Sequence, residues 1–133
     1  MRQEAFRRLL AREIGNEADA LVIAAAARRL YELFAQQLTP IIGDAGVEAI
    51  CSRSLHLVQR QVPSLGPVPN GDGFTRVQES LQALETSTAV DAAVAVLNTS
   101  SELLDSFIGT GLTTRLLRGA WPDDFHDDTK ERP

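Results

Sequence analysis

Residues 20–38, ALVIAAAARRLYELFAQQL, carry the clearest structural signal in the chain. Apolar side chains recur at the spacing of one helical face, while charged and amide side chains fall on the opposite side. The apolar face consists of Ile23, Ala27, Leu30, Phe34 and Leu38. The pattern predicts an amphipathic helix from about residue 17 to residue 38 that buries this stripe against other helices.

Four further segments show the same helical spacing. They cover residues 3–14, 44–61, 74–85 and 89–108, with the last one expected to end or break at the glycines that follow it. Thr39-Pro40 is expected to separate the second helix from the third, because proline is favoured at the start of a helix and disfavoured inside it. No segment alternates as a strand does. The sequence therefore predicts an all-α fold, an antiparallel bundle of four or five helices.

Two segments interrupt or end this pattern. PSLGPVPNGDG, residues 63–73, is rich in proline and glycine and predicts a loop between the third and fourth helices. DDFHDDTKERP, residues 123–133, is acidic and poor in apolar side chains, which is typical of disorder at a terminus. The expected organisation is a helical bundle domain over residues 1–122 followed by a disordered acidic tail over 123–133.

Composition excludes several classes of function. The 133 residues carry a net charge of −5, and an acidic protein is a poor ligand for nucleic acid, whose phosphates need a basic surface. A single cysteine, Cys51, excludes an internal disulfide. The longest apolar run, residues 20–27, is far shorter than the roughly 20 residues that span a bilayer. We expect a cytoplasmic protein without membrane insertion.

His56 is the most exposed candidate for chemistry. It lies in SRSLHLVQRQV, residues 52–62, about 180° round the helix from Val47 on the apolar face. A histidine phosphotransfer domain has this arrangement, a helical bundle of similar length with one exposed histidine on a helix. Such domains usually place a lysine three residues after the histidine and a small residue next, where this chain has Gln59 and Arg60. We therefore expect a bystander, with a phosphoacceptor as the alternative.

No metal, cofactor or nucleophile site is predicted. Cys51 lies about 140° from His56 round the helix, so the two side chains cannot share an ion. His126 stands among aspartates in the tail, without the glycine turn and the ligand spacing of a calcium loop. No G-x-S-x-G elbow occurs in the chain. The sequence thus predicts a protein that is not an enzyme.

Two weaker patterns have structural explanations. IGTGLTTR, residues 108–115, has glycines before an arginine but lacks the spacing of a phosphate loop. Its glycines, Gly109 and Gly111, indicate a kink or a close approach of helices. Glu102 and Asp105 lie on one helical surface, but the E-x-x-H motif of di-iron bundles is absent. We interpret the carboxylates as a solvated face.

The first predicted helix is amphipathic and basic. Phe6, Leu9 and Leu10 form its apolar face, and arginines occupy the other side. Such a helix can dock on an anionic membrane surface or in an acidic groove. We expect it to pack on its own bundle or on a second copy of the chain.

The fifth predicted helix carries a second apolar strip, and this strip leads to the functional hypothesis. Val96, Leu103 and Phe107 lie roughly 120° from the main apolar face of that helix. A strip of this kind needs cover from its own bundle or from a partner, so these three residues are the predicted interface. The hypothesis is a non-enzymatic bacterial regulatory or adaptor module that acts through helix–helix protein interaction as a homodimer.

A third function remains open beside the phosphotransfer alternative. A small-molecule sensor would hold its ligand in a pocket between the second, third and fifth predicted helices. Such pockets are mainly apolar and contain a few polar groups that fix the ligand. Ser54 and Ser101 are the polar residues expected near that pocket.

Overall fold

Five α-helices and one short 3₁₀ turn form the bundle. The computed structural model describes residues 2–16, 19–65 and 72–125. The helices are α1 (Arg2–Ile14), α2 (Ala20–Gln61), α3 (Gly73–Gln82), α4 (Thr86–Ile108) and α5 (Thr110–Ala120), and the turn is Pro63–Leu65. None of the residues in these ranges lies in a strand, which confirms the predicted all-α bundle. Most of the predicted proline and glycine loop, residues 66–71, lies outside the described ranges.

Helix α2 is the centre of the bundle and contacts each of the other four helices. The stripe predicted from its sequence is buried, with every member at most 3% exposed. That stripe consists of Ile23, Ala27, Leu30, Phe34 and Leu38. Burying a leucine or phenylalanine side chain stabilises the folded state by roughly 1.5–3 kcal/mol, so this stripe is a principal source of the fold's stability.

The break between the second and third predicted helices lies at Gly43, and the prediction of a boundary at Thr39-Pro40 was wrong. Gly43 has φ 76° and ψ 169°, a conformation that glycine adopts without the steric cost of a Cβ. The helix passes through Pro40, because proline removes one hydrogen bond without necessarily ending a helix. Helix α2 therefore has two arms, residues 20–42 and residues 44–61.

Helix α1 packs on its own bundle, which is one of the two arrangements expected from its sequence, the other being packing on a second copy of the chain. Its buried residues are Ala5, Phe6, Leu9 and Leu10. Ion pairs join its other side to α4, with Arg2 Nη1 2.7 Å from Asp105 Oδ2 and Arg7 Nη1 3.0 Å from Asp91 Oδ1. Within the described ranges, no helix combines the length and the hydropathy that crossing a membrane requires.

The bundle continues past α5 to an aromatic cluster. The Phe6 ring lies 5.3 Å from the Phe125 ring and 6.0 Å from the Trp121 ring, measured between centroids. Phe125 is only 7% exposed, although it falls inside the predicted tail over 123–133. The packed domain therefore extends beyond the predicted end at residue 122, and residues 126–133 lie outside the described ranges.

Candidate functional site

His56 lies exposed on the second arm of α2, where the helical phase predicted it. Its Nδ1 is 2.8 Å from the carbonyl oxygen of Ser52, and Nδ1 is the donor because a carbonyl oxygen only accepts. Cys51 is buried on another side of the helix, where its thiol donates to the carbonyl oxygen of Gly73 at 3.4 Å. The two side chains share no ligand position. Exposure is the property that His56 has in common with a phosphoacceptor histidine.

The predicted interface strip on α4 divides between the core and the surface. Val96 is 1% exposed, so its inclusion in an interface was wrong. The second arm of α2 covers this part of α4, since Ser54 and Ser100 are hydrogen-bonded across the two helices at 2.7 Å. Leu103 is half-buried, and Phe107 is 73% exposed at the end of the helix. Phe107 is the member of the strip that the chain leaves open.

An apolar groove lies beside Phe107, and we call it the α2–α4 groove. Its volume is about 570 Å³. Helix α2 contributes Ile42, Gly46, Ala49, Ile50 and Arg53 to the lining. Helix α4 contributes Leu103, Phe107 and Ile108. Both arms of α2 take part, so the kink at Gly43 shapes one end of the groove.

The walls of the α2–α4 groove differ in size. Ala49 forms a low wall on α2, where the Ile42 side chain lies against Gly46, and Phe107 forms a tall wall on α4. Ile50, which is 3% exposed, lies deepest between them. A groove with one low wall and an exposed aromatic ring is a surface that an apolar side chain of a partner can enter.

The α2–α4 groove has one charged residue in its lining, and that residue is basic. Arg53 is the charged member of its lining, is exposed, and makes no ion pair or hydrogen bond with the described residues. Arg60, seven residues further along α2, is also exposed and without such a partner. Seven residues correspond to about 700° of helical rotation, so the two arginines differ by only about 20°. His56 lies between them.

Inside the bundle, a chain of hydroxyl groups connects the two arms of α2 with α4. The Ser54 hydroxyl donates to the carbonyl oxygen of Ile50 at 2.8 Å. The Ser100 hydroxyl therefore donates to Ser54 Oγ at 2.7 Å, and the Tyr31 hydroxyl donates to Ser100 Oγ at 2.8 Å. We call Tyr31, Ser54 and Ser100 the buried hydroxyl chain. Each of the three is 0% exposed, and each has its hydrogen bonded.

The two serines predicted near a sensor pocket, Ser54 and Ser101, are buried inside the bundle. Ser54 is closed in by its own bundle, and Ser101 donates to the carbonyl oxygen of Asn98 at 2.8 Å. Neither serine lines the α2–α4 groove. The α2–α4 groove lies instead between the second arm of α2 and the end of α4, where isoleucines and an exposed phenylalanine face solvent.

Burial holds the Cys51 thiol and the Tyr31 hydroxyl in their protonated forms. Burial raises the pKa of the Cys51 thiol to about 12. Burial also raises the pKa of Tyr31 well above its usual value, with the neighbouring Cys51 adding to the effect. A thiol that stays protonated at neutral pH is a poor nucleophile, because the thiolate is the reactive form. Cys51 is therefore an apolar packing residue, as a lone buried cysteine usually is.

The acidic pair on α4 does not assemble into a carboxylate site. Glu102 and Asp105 both line a polar cavity of about 750 Å³ beside α1. Asp105 is engaged by Arg2, and Glu102 accepts a hydrogen bond from Asn98 at 3.4 Å. Asp91 lies fourteen residues before Asp105 on the same helix, or about 21 Å away. These carboxylates hold α1 and α4 together or meet solvent.

The glycines at 109–111 mark a break between two helices. Gly109 has φ 89° and stands between α4 and α5. A Cβ added at Gly109 or Gly111 would meet nothing within 4 Å, so neither glycine serves a close approach. The amide of Thr113 donates to the carbonyl oxygen of Gly109 at 3.1 Å, as in an ordinary first helical turn. Arg115 is exposed on α5.

Metal-ligand residues do not converge in the part of the chain that the structure describes. No three histidine, cysteine or acidic side chains of that part come together in a way that could hold an ion. Asp124, from the predicted acidic cluster, forms an ion pair with Arg12 instead. His126 and the residues after it lie outside the described ranges.

Sequence reasoning found one side of the α2–α4 groove and missed the other. Leu103 and Phe107 stood out as part of an apolar strip, whereas Gly46, Ala49 and Arg53 did not form a recognisable pattern. The available signal was a small residue near the kink, Ala49, which lowers one helix wall. Comparison with protein-family models, curated proteins and solved structures finds no match to this chain.

Proposed function

We propose that this protein is a non-enzymatic regulatory or adaptor module that docks a helix in the α2–α4 groove. One observation carries the proposal: Phe107 is 73% exposed beside an apolar groove of about 570 Å³. Burying a phenylalanine side chain is worth roughly 1.5–3 kcal/mol, so a partner that covers Phe107 gains that stabilisation. Helix-in-groove recognition uses apolar surfaces of this kind.

The state of the reactive side chains supports a role in binding over one in catalysis. Burial keeps the Cys51 thiol protonated, and the hydroxyls of Tyr31, Ser54 and Ser100 are hydrogen-bonded to one another inside the bundle. His56 is exposed and bonds only within its own helix. The exposed apolar surface is thus the feature that calls for a partner.

A second copy of the chain is one source of the docked helix, and a homodimer is part of this proposal. In a two-fold dimer each copy presents the same surface to the other. Phe107 of one copy would then lie over the low wall at Ala49 on its partner. The surface carries both a projecting ring and a place for one, which supports this arrangement.

Sedimentation equilibrium over a wide concentration range tests the dimer. We expect wild-type protein to associate and the Phe107→Ser variant to remain monomeric. Leu21→Ser is the matched control, because Leu21 is 65% exposed and lies outside the α2–α4 groove. Monomeric wild-type protein at all concentrations would contradict the dimer, and equal effects of the two variants would contradict the role of the groove.

A small-molecule sensor is a second candidate, supported by the size of the groove. Its volume of about 570 Å³ falls within the range of roughly 300–1,000 Å³ that ligand sites occupy. An apolar anion would place its carboxylate at Arg53. Thermal-shift measurements with aliphatic carboxylates test this role, with the Ala49→Trp variant as a filled groove. Stabilisation of wild type and variant alike would place the ligand elsewhere.

A further inference from the structure

Arg53 shares the lack of an ion pair within the described residues with Arg8, Arg60 and Arg115, but it alone of these four lines the apolar α2–α4 groove. Several other arginines form ion pairs: Arg2, Arg7, Arg12, Arg29 and Arg76. Arg53 has no hydrogen-bond or ion-pair partner within the described residues, and the rest of the groove lining is uncharged. A cation placed at the rim of an apolar groove indicates a partner that is apolar with an anion beside it.

The helix dipole explains Arg60 but does not explain Arg53. Arg60 lies in the last turn of α2, where a cation interacts favourably with the helix C-terminus. That effect falls off within the last turn, and Arg53 lies eight residues before Gln61. Interaction with the dipole of α2 therefore does not account for a cation at Arg53.

The basic and apolar features are aligned along α2. Gly46, Arg53 and Arg60 follow one another at intervals of seven residues, so they lie within about 40° of each other round the helix. At 1.5 Å per residue, the row from Gly46 to Arg60 is about 21 Å long. A docked helix of about 14 residues matches that length.

We propose that the α2–α4 groove binds an amphipathic helix of another protein, with acidic side chains beside its apolar face that pair with Arg53 and Arg60. This inference rests on the proposed helix docking and names the chemistry of the partner, which displaces a second copy of the chain from the same groove. The apolar anchors of the helix enter between Phe107 and the low wall, and its acids reach along α2. Pairing across a partly desolvated rim fixes the direction and register of the docked helix.

The α4 helix of a second copy supplies the apolar anchor but no acid beside it. Glu102, the nearest acid on α4 that is not held by Arg2, lies about 140° round that helix from Phe107. Glu102 lines the polar cavity beside α1, on a different side of α4 from the groove. The docked α4 of a second copy therefore brings no acid of its own to Arg53.

Selection from a displayed helical peptide library tests the inference. The library fixes leucines at the i, i+3, i+4 and i+7 spacing and randomises the flanking positions, and the full-length chain is the bait. The Ala49→Trp variant, with the groove filled, removes peptides that bind elsewhere. We expect aspartate and glutamate to be enriched at the flanks. The selected peptides should bind Arg53→Gln at least about tenfold more weakly, with a difference that shrinks at high salt.

Matched controls separate the possible failures. Arg115→Gln removes an exposed arginine of α5 outside the groove and should leave peptide binding unchanged. Enrichment of peptides with no acidic preference, and equal affinity for Arg53→Gln, overturns the charge inference and leaves helix docking intact. No enrichment over Ala49→Trp overturns helix docking itself. A third outcome is that wild-type protein forms a dimer that no peptide enters, and that peptides bind only after Phe107→Ser has dissociated the dimer. In that case a second copy occupies the groove, and the inference is overturned.

Discussion

Two regions between α2 and α4 show opposite chemistry. The buried hydroxyl chain places three polar groups in the interior, and the α2–α4 groove leaves Phe107 exposed with Ile42 and Ile108 half-buried beside it. Both regions use the second arm of α2 and the C-terminal half of α4. The usual distribution, with polar groups outside and apolar groups inside, is locally reversed.

The two regions differ in whether residues of the same chain supply the hydrogen-bond partners and the cover for apolar surface. In the interior, each hydroxyl of Tyr31, Ser54 and Ser100 finds a partner from the same chain, so burial costs little. At the groove, neither the exposed ring of Phe107 nor the guanidinium of Arg53 has a partner among the described residues. The interior therefore specifies how the helices fit together, and the groove is where a second molecule has most to gain.

Replacing Tyr31 by alanine should have the largest effect on stability. Tyr31 is 0% exposed, and truncating a buried aromatic residue typically costs about 3–5 kcal/mol, through lost burial and the cavity left behind. Urea unfolding followed by circular dichroism measures the change. The matched substitution Phe107→Ala should alter the free energy of unfolding by less than about 0.5 kcal/mol. Similar losses for the two aromatic residues would contradict a buried Tyr31 and an exposed Phe107.

Replacing Ser100 by alanine tests the hydroxyl chain without removing bulk. The substitution leaves the Tyr31 hydroxyl without its acceptor and Ser54 Oγ without a donor, which should cost about 1–3 kcal/mol. Thr99→Ala, at a half-buried neighbour with no side-chain bond across helices, is the control. Combining Ser100→Ala with Tyr31→Phe should recover part of the loss, because the stranded donor is then absent. Additive losses in the double variant would contradict a connected chain.

The free energy of unfolding should fall gradually as the pH is raised above about 9. The Cys51 thiol has a pKa of about 12 in the folded chain and about 9.0 when unperturbed, and burial is the main cause. Between these pH values the unfolded state binds fewer protons than the folded state. The thiol therefore contributes its whole stabilisation below about pH 9, and this contribution falls as pH rises. The loss in the free energy of unfolding is up to about 1.4 kcal/mol per pH unit for one group. Cys51→Ala should flatten this fall in unfolding measurements from neutral to alkaline pH. An unchanged slope would contradict a buried protonated thiol.

A substitution that fills the α2–α4 groove should change the free energy of unfolding less than the substitutions in the core, and it should remove peptide binding. Ala49 is exposed in the lining, so Ala49→Trp should leave the free energy of unfolding within about 0.5 kcal/mol of wild type. It should nevertheless abolish binding of a synthetic helical peptide with leucines at the i, i+3, i+4 and i+7 positions and flanking acids, measured by fluorescence anisotropy. Ala11→Trp, at an exposed alanine of α1, is the matched control. Loss of binding in both variants would show that the effect is not specific to the groove.

The main features of the fold were predictable from local patterns, and the details of the site were not. The stripe on α2 follows from helical spacing, because one face of a helix must be covered in any bundle. The helix boundary was misplaced because Pro40 is a strong signal in sequence, while the conformation of Gly43 depends on how the two arms pack. Val96 and Phe107 looked alike by spacing, and only the crossing of α2 over α4 distinguished them.

The sequence by itself determined the helices, their buried faces, the acidic balance of the chain and the exposure of His56, because these depend on composition and on the period of one helix. The tertiary structure alone decided that Ser54 and Ser100 meet inside and that Phe107 and Arg53 stand at one groove. The physical reason is that such sites join residues about 50 positions apart, whose proximity is set by helix crossing and not by local spacing.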